Sequence, residues 1–233
     1  MTRVALLLLF ADAAFAATAD FTWSGAIAPN QTFEVKGLNG PVRVLPSAGT
    51  GASLRALRKG RRDDPNHVRI DVVPHPAGIT VCAVYPSADS RPNECKPGNA
   101  GRNNVSNNDV HVEFEIRLPR GVHLTVKTVN GDVEARQIGG DVKAETVNGE
   151  IVVAAQGNVE ARTVNGGITL ELHPSSGAAL NARVTNGEIA SDLPLTFRGG
   201  AARRQVEATI GNGSKQLKLQ TVNGNIRIRQ ASS

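Results

Sequence analysis

The side chains able to do chemistry fall into four groups. Cys82 and Cys95 are the only cysteines. The histidines, His67, His75, His111, His123 and His173, form no His-x-His or His-x-x-x-His pair and have no acidic partner at a metal-ligand spacing. Asp132, Glu150 and Glu188 each follow a glycine at a repeated position, which would set them along one edge of the fold. Glycoside hydrolysis needs two carboxylates across a substrate groove, and lyase chemistry a base with a cation. The matching positions Gly167 and Asn225 are not acidic, so the row is interrupted. No Ser/His/Asp arrangement, phosphate-cradling glycine loop or nucleophile elbow is visible. The sequence therefore assigns no catalytic, cofactor-binding or metal-ligating residue and expects no cofactor.

The fourth group is basic. Arg55, Arg58, Lys59, Arg61 and Arg62 form the densest run, and Arg203-Arg204 is a smaller one. Such a run is the candidate contact for an anionic partner, either an acidic envelope polymer or lipid head groups. Asp63-Asp64 follows at once and partly neutralises it, so a solvated loop is the plainer reading. Aromatic residues make up only 3% of the chain and none is interleaved with these cations. Nucleic acid is therefore not expected as a partner, and sugar-stacking clefts are disfavoured for the same reason.

These residues belong to a chain of 233 with 40% hydrophobic and 20% charged residues and a net charge of +5. That supports a core in one or two domains and excludes general disorder. Residues 4–10 form the only continuous apolar run, too short to span a bilayer. Arg3 precedes it and Ala14-Phe15-Ala16 follows, which is the pattern of a secretory leader over 1–19 with cleavage near Ala16 or Ala19. No second apolar span follows. The mature chain is expected to lack a transmembrane segment and to be exported, either periplasmic or at the cell surface. In an oxidising compartment Cys82 and Cys95 read as a structural disulfide, which contributes about 3 kcal/mol less any strain.

The strongest signal is a repeat. Thr128-Val129-Asn130-Gly131 recurs as Thr146-Val147-Asn148-Gly149, Thr163-Val164-Asn165-Gly166 and Thr221-Val222-Asn223-Gly224. Val184-Thr185-Asn186-Gly187 is a scrambled copy, and Asn39-Gly40 and Asn212-Gly213 lie in weaker echoes. Asn130, Asn148, Asn165 and Asn186 are 18, 17 and 21 residues apart, a period that indicates a solenoid. Between them Val133/Ala135, Val142/Ala144, Ile151/Val153, Val159/Ala161 and Ile168/Leu170 alternate as in strands. Ile138-Gly139-Gly140, nine residues from Val129 and from Val147, reads as a degenerate Val-Asn-Gly. An odd half-period flips the apolar parity, so the chain must bend at every half-repeat.

Asn-Gly suits a two-residue hairpin as well as a solenoid corner. A hairpin about Gly139-Gly140 would oppose Arg136 to Lys143 and Glu134 to Glu145, pairs of like charge. Stacking at a 17-residue offset sets Lys143 beside Glu160 and Glu145 beside Arg162, which favours the solenoid. The expected fold is all-β: a parallel β-solenoid, β-helix-like, with two short strands per coil of about 18 residues and successive coils stacked. The corners are Asn130-Gly131, Asn148-Gly149, Asn165-Gly166, Asn186-Gly187 and Asn223-Gly224, where glycine accepts positive φ and asparagine side chains can bond along the axis.

The Phe114-Glu115-Ile116-Arg117-Leu118-Pro119-Arg120-Gly121-Val122 strand, followed by the Thr-Val-Asn-Gly series, resembles the bacterial putative-adhesin domain family of unknown function. Val81-Cys82-Ala83-Val84-Tyr85-Pro86 with Cys95 is similar to segments of its exported members. The resemblance spans roughly residues 39–229. It implies a β-solenoid at the cell envelope and supplies no catalytic residues.

The expected organisation is a leader over 1–19, an N-terminal β cap and first coils with the disulfide loop over 20–121, and regular repeats over 122–230. Residues 87–108 and 199–204 interrupt the strand pattern, and the first reads as an exposed loop tied by the disulfide. The functional expectation is a non-catalytic, adhesin-like envelope or surface interaction module that presents loops such as 87–108 from a rigid β-solenoid, with an envelope protein or polysaccharide as partner. The alternatives are a carbohydrate-active β-helix enzyme and a periplasmic accessory in envelope-stress signalling.

Overall fold

The structure, a computed structural model, describes residues 17–173, 176–198 and 204–231. The expected leader through Ala16 and Arg203 lie outside the described residues. In chain order the first strands are β1 (Ala17–Ala26), β2 (Thr32–Lys36), β3 (Val42–Pro46), β4 (Gly51–Gly60), β5 (Arg69–His75), β6 (Gly78–Val84), β7 (Glu94–Cys95) and β8 (Gly101–Arg102). Then come β9 (His111–Leu118), β10 (His123–Lys127), β11 (Val133–Ile138), β12 (Val142–Glu145), β13 (Ile151–Ala155), β14 (Val159–Asn165) and β15 (Ile168–Leu172). The last are β16 (Ala178–Asn186), β17 (Ile189–Ser191), β18 (Thr196–Phe197), β19 (Gln205–Ile210), β20 (Lys215–Asn223) and β21 (Ile226–Gln230).

The strands form because apolar residues alternate with polar ones over short runs. In β10, Leu124 and Val126 are buried while His123, Thr125 and Lys127 face outward. The inward residues of both long sheets join one core, including Phe33, Leu124, Ile151, Leu170, Leu219 and Ile226. Alanines 135, 144 and 161 are fully buried, so the core is narrow at those rungs.

Sheet I has the order β1-β4-β9-β3-β11-β13-β15-β21-β17, and sheet II the order β18-β19-β16-β20-β14-β12-β10-β2-β6-β5. β7 and β8 form a separate small ladder. The Gly139-Gly140 hairpin does not form, because β11 lies in sheet I and β12 in sheet II. Each rung places one strand in each sheet, and rung meets rung in parallel: β10 with β12, β12 with β14, β11 with β13, β13 with β15. Lys143 stands opposite Glu160 and Glu145 opposite Arg162 in that register. Their shortest ion pairs nevertheless run along the strands, Lys143 to Glu145 at 3.1 Å and Arg162 to Glu160 at 2.7 Å.

The sheets are mixed rather than parallel throughout. Antiparallel strands finish the margins: β4 on β9 and β1 on β4 in sheet I, β5 on β6 and β19 on β16 in sheet II. Both sheets run without a break across residue 121, since the β2–β3 rung pairs in parallel with β10 and β11.

The stacking order departs from chain order at the end. β14 pairs with β20, and β20 pairs with β16 on its other side, so the last rung enters between the two that precede it. The expectation that successive coils stack fails here. β19 occupies the outer side of β16, and the short turn over 211–214 then carries the chain across the end of that strand. There Lys215 N–H and Ser214 Oγ both donate to the Gly177 carbonyl. β20 can then pair only on the inner side.

Candidate functional site

The repeat builds one continuous corner. Asn130 Nδ2 donates to Asn39 Oδ1 at 2.8 Å, Asn148 to Asn130 at 2.7 Å, and Asn165 to Asn148 at 2.8 Å. Asn223 donates to Asn165 and Asn186 to Asn223, both at 2.8 Å. Asn39, in one weak echo, is thus part of the ladder. Asn212, in the other, accepts instead from Ser214 N–H.

The glycines of this corner are required mainly by close approach. A Cβ on Gly149 would lie 2.1 Å from the Gly131 carbonyl oxygen, and on Gly131, Gly166, Gly187 or Gly224 it would lie 2.0 Å from the glycine carbonyl of the adjoining rung. Positive φ in the left-handed range occurs at Gly40, Gly166, Gly187 and Gly224 but not at Gly131 or Gly149. The conformational reason expected from sequence therefore covers only part of the series.

The threonines have a role that sequence reasoning missed. Thr146 Oγ1 donates to Gly131 O at 3.0 Å, Thr163 to Gly149 O at 3.0 Å and Thr221 to Gly166 O at 2.9 Å, all three buried. The recurrence of threonine two residues before each asparagine was the available signal. The valines between them face out, with Val147, Val164 and Val222 each 39% exposed. In the scrambled copy Val184 takes the buried threonine position opposite Thr221, which leaves Thr185 outside. Ile138 is buried, unlike Val147, so the Gly139-Gly140 corner is not a degenerate copy of the Asn-Gly corner.

Of the three candidate carboxylates only Asp132 makes a side-chain bond among the described residues, while Asp141, Glu134 and Glu171, outside that row, also hold rungs together. Asp132 accepts the Glu150 N–H at 2.8 Å, and Asp141 accepts the Asn158 N–H at 2.8 Å. Glu134 binds Arg43 at 2.9 Å and Arg136 at 2.6 Å, and these guanidiniums hold its carboxyl below the usual glutamate range. Arg136 also binds Glu171 at 2.6 Å. Glu150 and Glu188 are separated by the rungs of Gly167 and Asn225, three steps or about 14 Å along the stack. Paired glycosidase carboxylates stand within about 9.5 Å. His123 Nδ1 accepts the Asp141 N–H at 2.9 Å, and His75 Nε2 lies 3.2 Å from Thr80 Oγ1. No group of three histidine, cysteine or acidic side chains able to hold a metal occurs among the described residues.

The basic run is divided rather than gathered. Arg55 binds Asp20 at 3.0 Å, Lys59 binds Glu113 at 2.7 Å and Arg62 binds Asp109 at 3.3 Å. Arg58 lies in phase with buried Ala52, Leu54 and Ala56 and donates to the Val68 carbonyl at 2.6 Å. Of the five, Arg61 is exposed and has no side-chain partner among the described residues. Strand alternation separates Arg58 from Arg55 and Lys59, so the five do not form one anionic-partner patch.

Cys82 and Cys95 form a disulfide with Cα atoms 5.7 Å apart. It ties the middle of the 87–108 segment to the outer face of sheet II, while most residues of the segment stay exposed, as expected of a loop tied by the disulfide. Glu34, 5% exposed, accepts from Thr80 Oγ1 at 2.9 Å and from Gly98 N–H at 2.8 Å. Lys127 donates to Gly98 O at 3.1 Å and Asn99 Oδ1 at 2.9 Å, and Lys36 donates to the Lys96 and Ala100 carbonyls. Burial pushes the Lys36 ammonium below its ordinary value, against the pull of Glu34. The segment is a strap held by the side chains of Glu34, Lys36 and Lys127 and by a covalent bond.

The fold is an all-β, solenoid-like stack of rungs between two mixed sheets. The model of the Toastrack DUF4097 family matches residues 104–229, more than half of the chain, and the protein belongs to that family. A crystal structure of a putative cell adhesion protein from Clostridium sporogenes is similar, with 15% identity over 91% of this chain and 100% of that one and a TM-score of 0.52. A putative adhesin from Bacteroides fragilis shares 10% identity over 91% of this chain and 97% of its own, with a TM-score of 0.31. No curated protein matches the chain. Among the described residues no helix is long and apolar enough to cross a membrane.

Proposed function

We propose that the protein is an exported, non-catalytic interaction module of the cell envelope, in which a stiff parallel β-solenoid presents its flat faces and corner ridge to a polymer or protein partner. The observation that carries this reading is the state of the candidate row: Asp132 is bonded to the next rung, and Glu150 and Glu188 stand too far apart to act as a pair. The adhesion-protein names of the similar structures agree with it. Under this reading residues 1–19 are removed as a leader. Cleavage after Ala16 would leave β1 whole, and cleavage after Ala19 would remove the pairs Ala17–Gly60, Thr18–Lys59 and Ala19–Arg58. Residues 20–121 act as cap and first coils, and 122–230 as the repeat. The partner is an envelope protein or polysaccharide, and the strap adds to the outer face of sheet II, one of the two faces presented.

The test is co-sedimentation of the purified protein with isolated cell envelopes, run beside a reducing-end assay on the same envelope polysaccharides. Saturable co-sedimentation with no release of reducing ends is the expected result. Release of reducing ends that persists after repurification would overturn it in favour of a carbohydrate-active enzyme.

A further inference from the structure

On the outer face of sheet I, the register of four strands aligns two rows of side chains. Thr22, Arg55, Glu115 and Arg43 form one row across β1, β4, β9 and β3. Ser24, Ser53, Arg117 and Leu45 form the next. Between them the chain of Trp23, Leu54 and Ile116 floors a shallow trough of about 570 Å³. The rows stand about 7 Å apart and the trough crosses about 14 Å of sheet, from strand geometry.

Many of the donors lining this trough are unused among the described residues. A guanidinium carries five N–H donors. Among the described residues the Arg117 guanidinium has no hydrogen-bond or ion-pair partner, and Arg43 uses only its Nε, toward Glu134. Arg55 uses its Nε toward Asp20 and holds one Nη 3.8 Å from Glu115. The hydroxyls of Thr22, Ser24 and Ser53 have no partner among the described residues. Three guanidiniums and three hydroxyls thus face one lining carboxylate, Glu115, along a straight channel.

We infer that this trough binds an acidic polysaccharide, a linear chain bearing uronate carboxylates. Carboxylates suit the guanidinium forks of Arg117 and Arg43, which can bind them bidentately. The sugar hydroxyls suit the serine and threonine row. An acidic peptide fits less well, because peptide recognition relies on anchoring side chains in deep desolvated pockets, and this floor is backbone in a shallow channel. The inference rests on the interaction-module reading and names its partner class.

The experiment is calorimetric titration of the protein with polygalacturonate, with neutral dextran and with poly-glutamate, at low and high salt. Two trough variants, Arg117→Glu and Arg117→Gln, are compared with Arg227→Glu, an exposed position on the same sheet face outside the trough. Binding of polygalacturonate well above dextran and poly-glutamate, weakened at least tenfold by Arg117→Glu, less by Arg117→Gln and less than twofold by Arg227→Glu, supports the site. Equal losses in Arg117→Glu and Arg227→Glu would reduce it to diffuse attraction and overturn it. Equal affinity for poly-glutamate would overturn the polysaccharide assignment. No polygalacturonate binding alongside retained envelope co-sedimentation would overturn this inference while leaving the interaction-module reading intact. Unchanged melting temperatures show that the Arg117 variants are folded.

Discussion

Asn223 Nδ2 donates to Asn165 Oδ1 at 2.8 Å although 58 residues separate them, while Asn186, only 21 residues beyond Asn165, bonds to Asn223 instead. The last rung of the chain is therefore an internal rung of the stack. Its strands β20 and β21 are flanked on both sides, by β14 and β16 in sheet II and by β15 and β17 in sheet I.

The ladder predicts a graded response along the corner. Asn165→Val removes two side-chain bonds and should lower stability by about 1 kcal/mol, whereas Asn186→Val, at the end of the ladder, removes one and should cost about half as much. Urea midpoints measure both. Equal midpoints for parent and Asn165→Val would show that the ladder adds nothing to stability.

Close stacking predicts that corner glycines resist even one methyl. Gly149→Ala places a Cβ 2.1 Å from the Gly131 carbonyl oxygen and should destabilise by about 1–3 kcal/mol. Gly49→Ala, with nothing within 4 Å of the added carbon, should stay within about 0.5 kcal/mol of the parent. Thermal melts of the two variants test the contrast.

Tyr85 predicts loss of stability in alkali. Its hydroxyl is buried and donates to Val110 O at 3.0 Å, and burial pushes its pKa up to about 12. The unfolded chain ionises near its ordinary value of about 10, so stability is full below that pH and falls as pH rises toward the folded value. Tyr85→Phe should be less stable than the parent at pH 7 and should lose less stability between pH 10 and 12. Denaturation midpoints across that range measure the difference.

The strap predicts a local effect of one carboxylate. Glu34→Gln weakens the charge-assisted bonds to Lys127 and to the Gly98 N–H, and should cost about 1.5–3 kcal/mol. Hydrogen exchange should quicken most at Gly98. An unchanged rate there would mean that the disulfide alone holds the strap.

Much of this was legible in the residues and some of it was not. The alternation Val142/Ala144, Val159/Ala161 and Ile168/Leu170 specified strands and their inward faces, because a period of two leaves no other way to bury one side. The 17-residue offset specified the register of Lys143 on Glu160, and the parity flip specified the bends that send β11 and β12 to different sheets. The buried Glu34, the docked strap and the Arg117 trough were not legible, since each joins residues from strands far apart in the chain. The division of the basic run followed from strand alternation, which separates Arg58 from Arg55 and Lys59 once β4 is known to be extended through all three. What the sequence by itself determined is the rung: its strands, its corners and the contacts it offers to the next. Only the tertiary structure decided the order of the rungs. The Asn-Gly corners offer the same asparagine bond to any neighbouring rung, and only the threonine bond, which Thr221 makes to Gly166 O and Val184 cannot make, distinguishes the last two. The choice between them falls to non-repeated features, the antiparallel pairing of β19 on β16 and the turn across Gly177, which leave the final rung only the space between its predecessors.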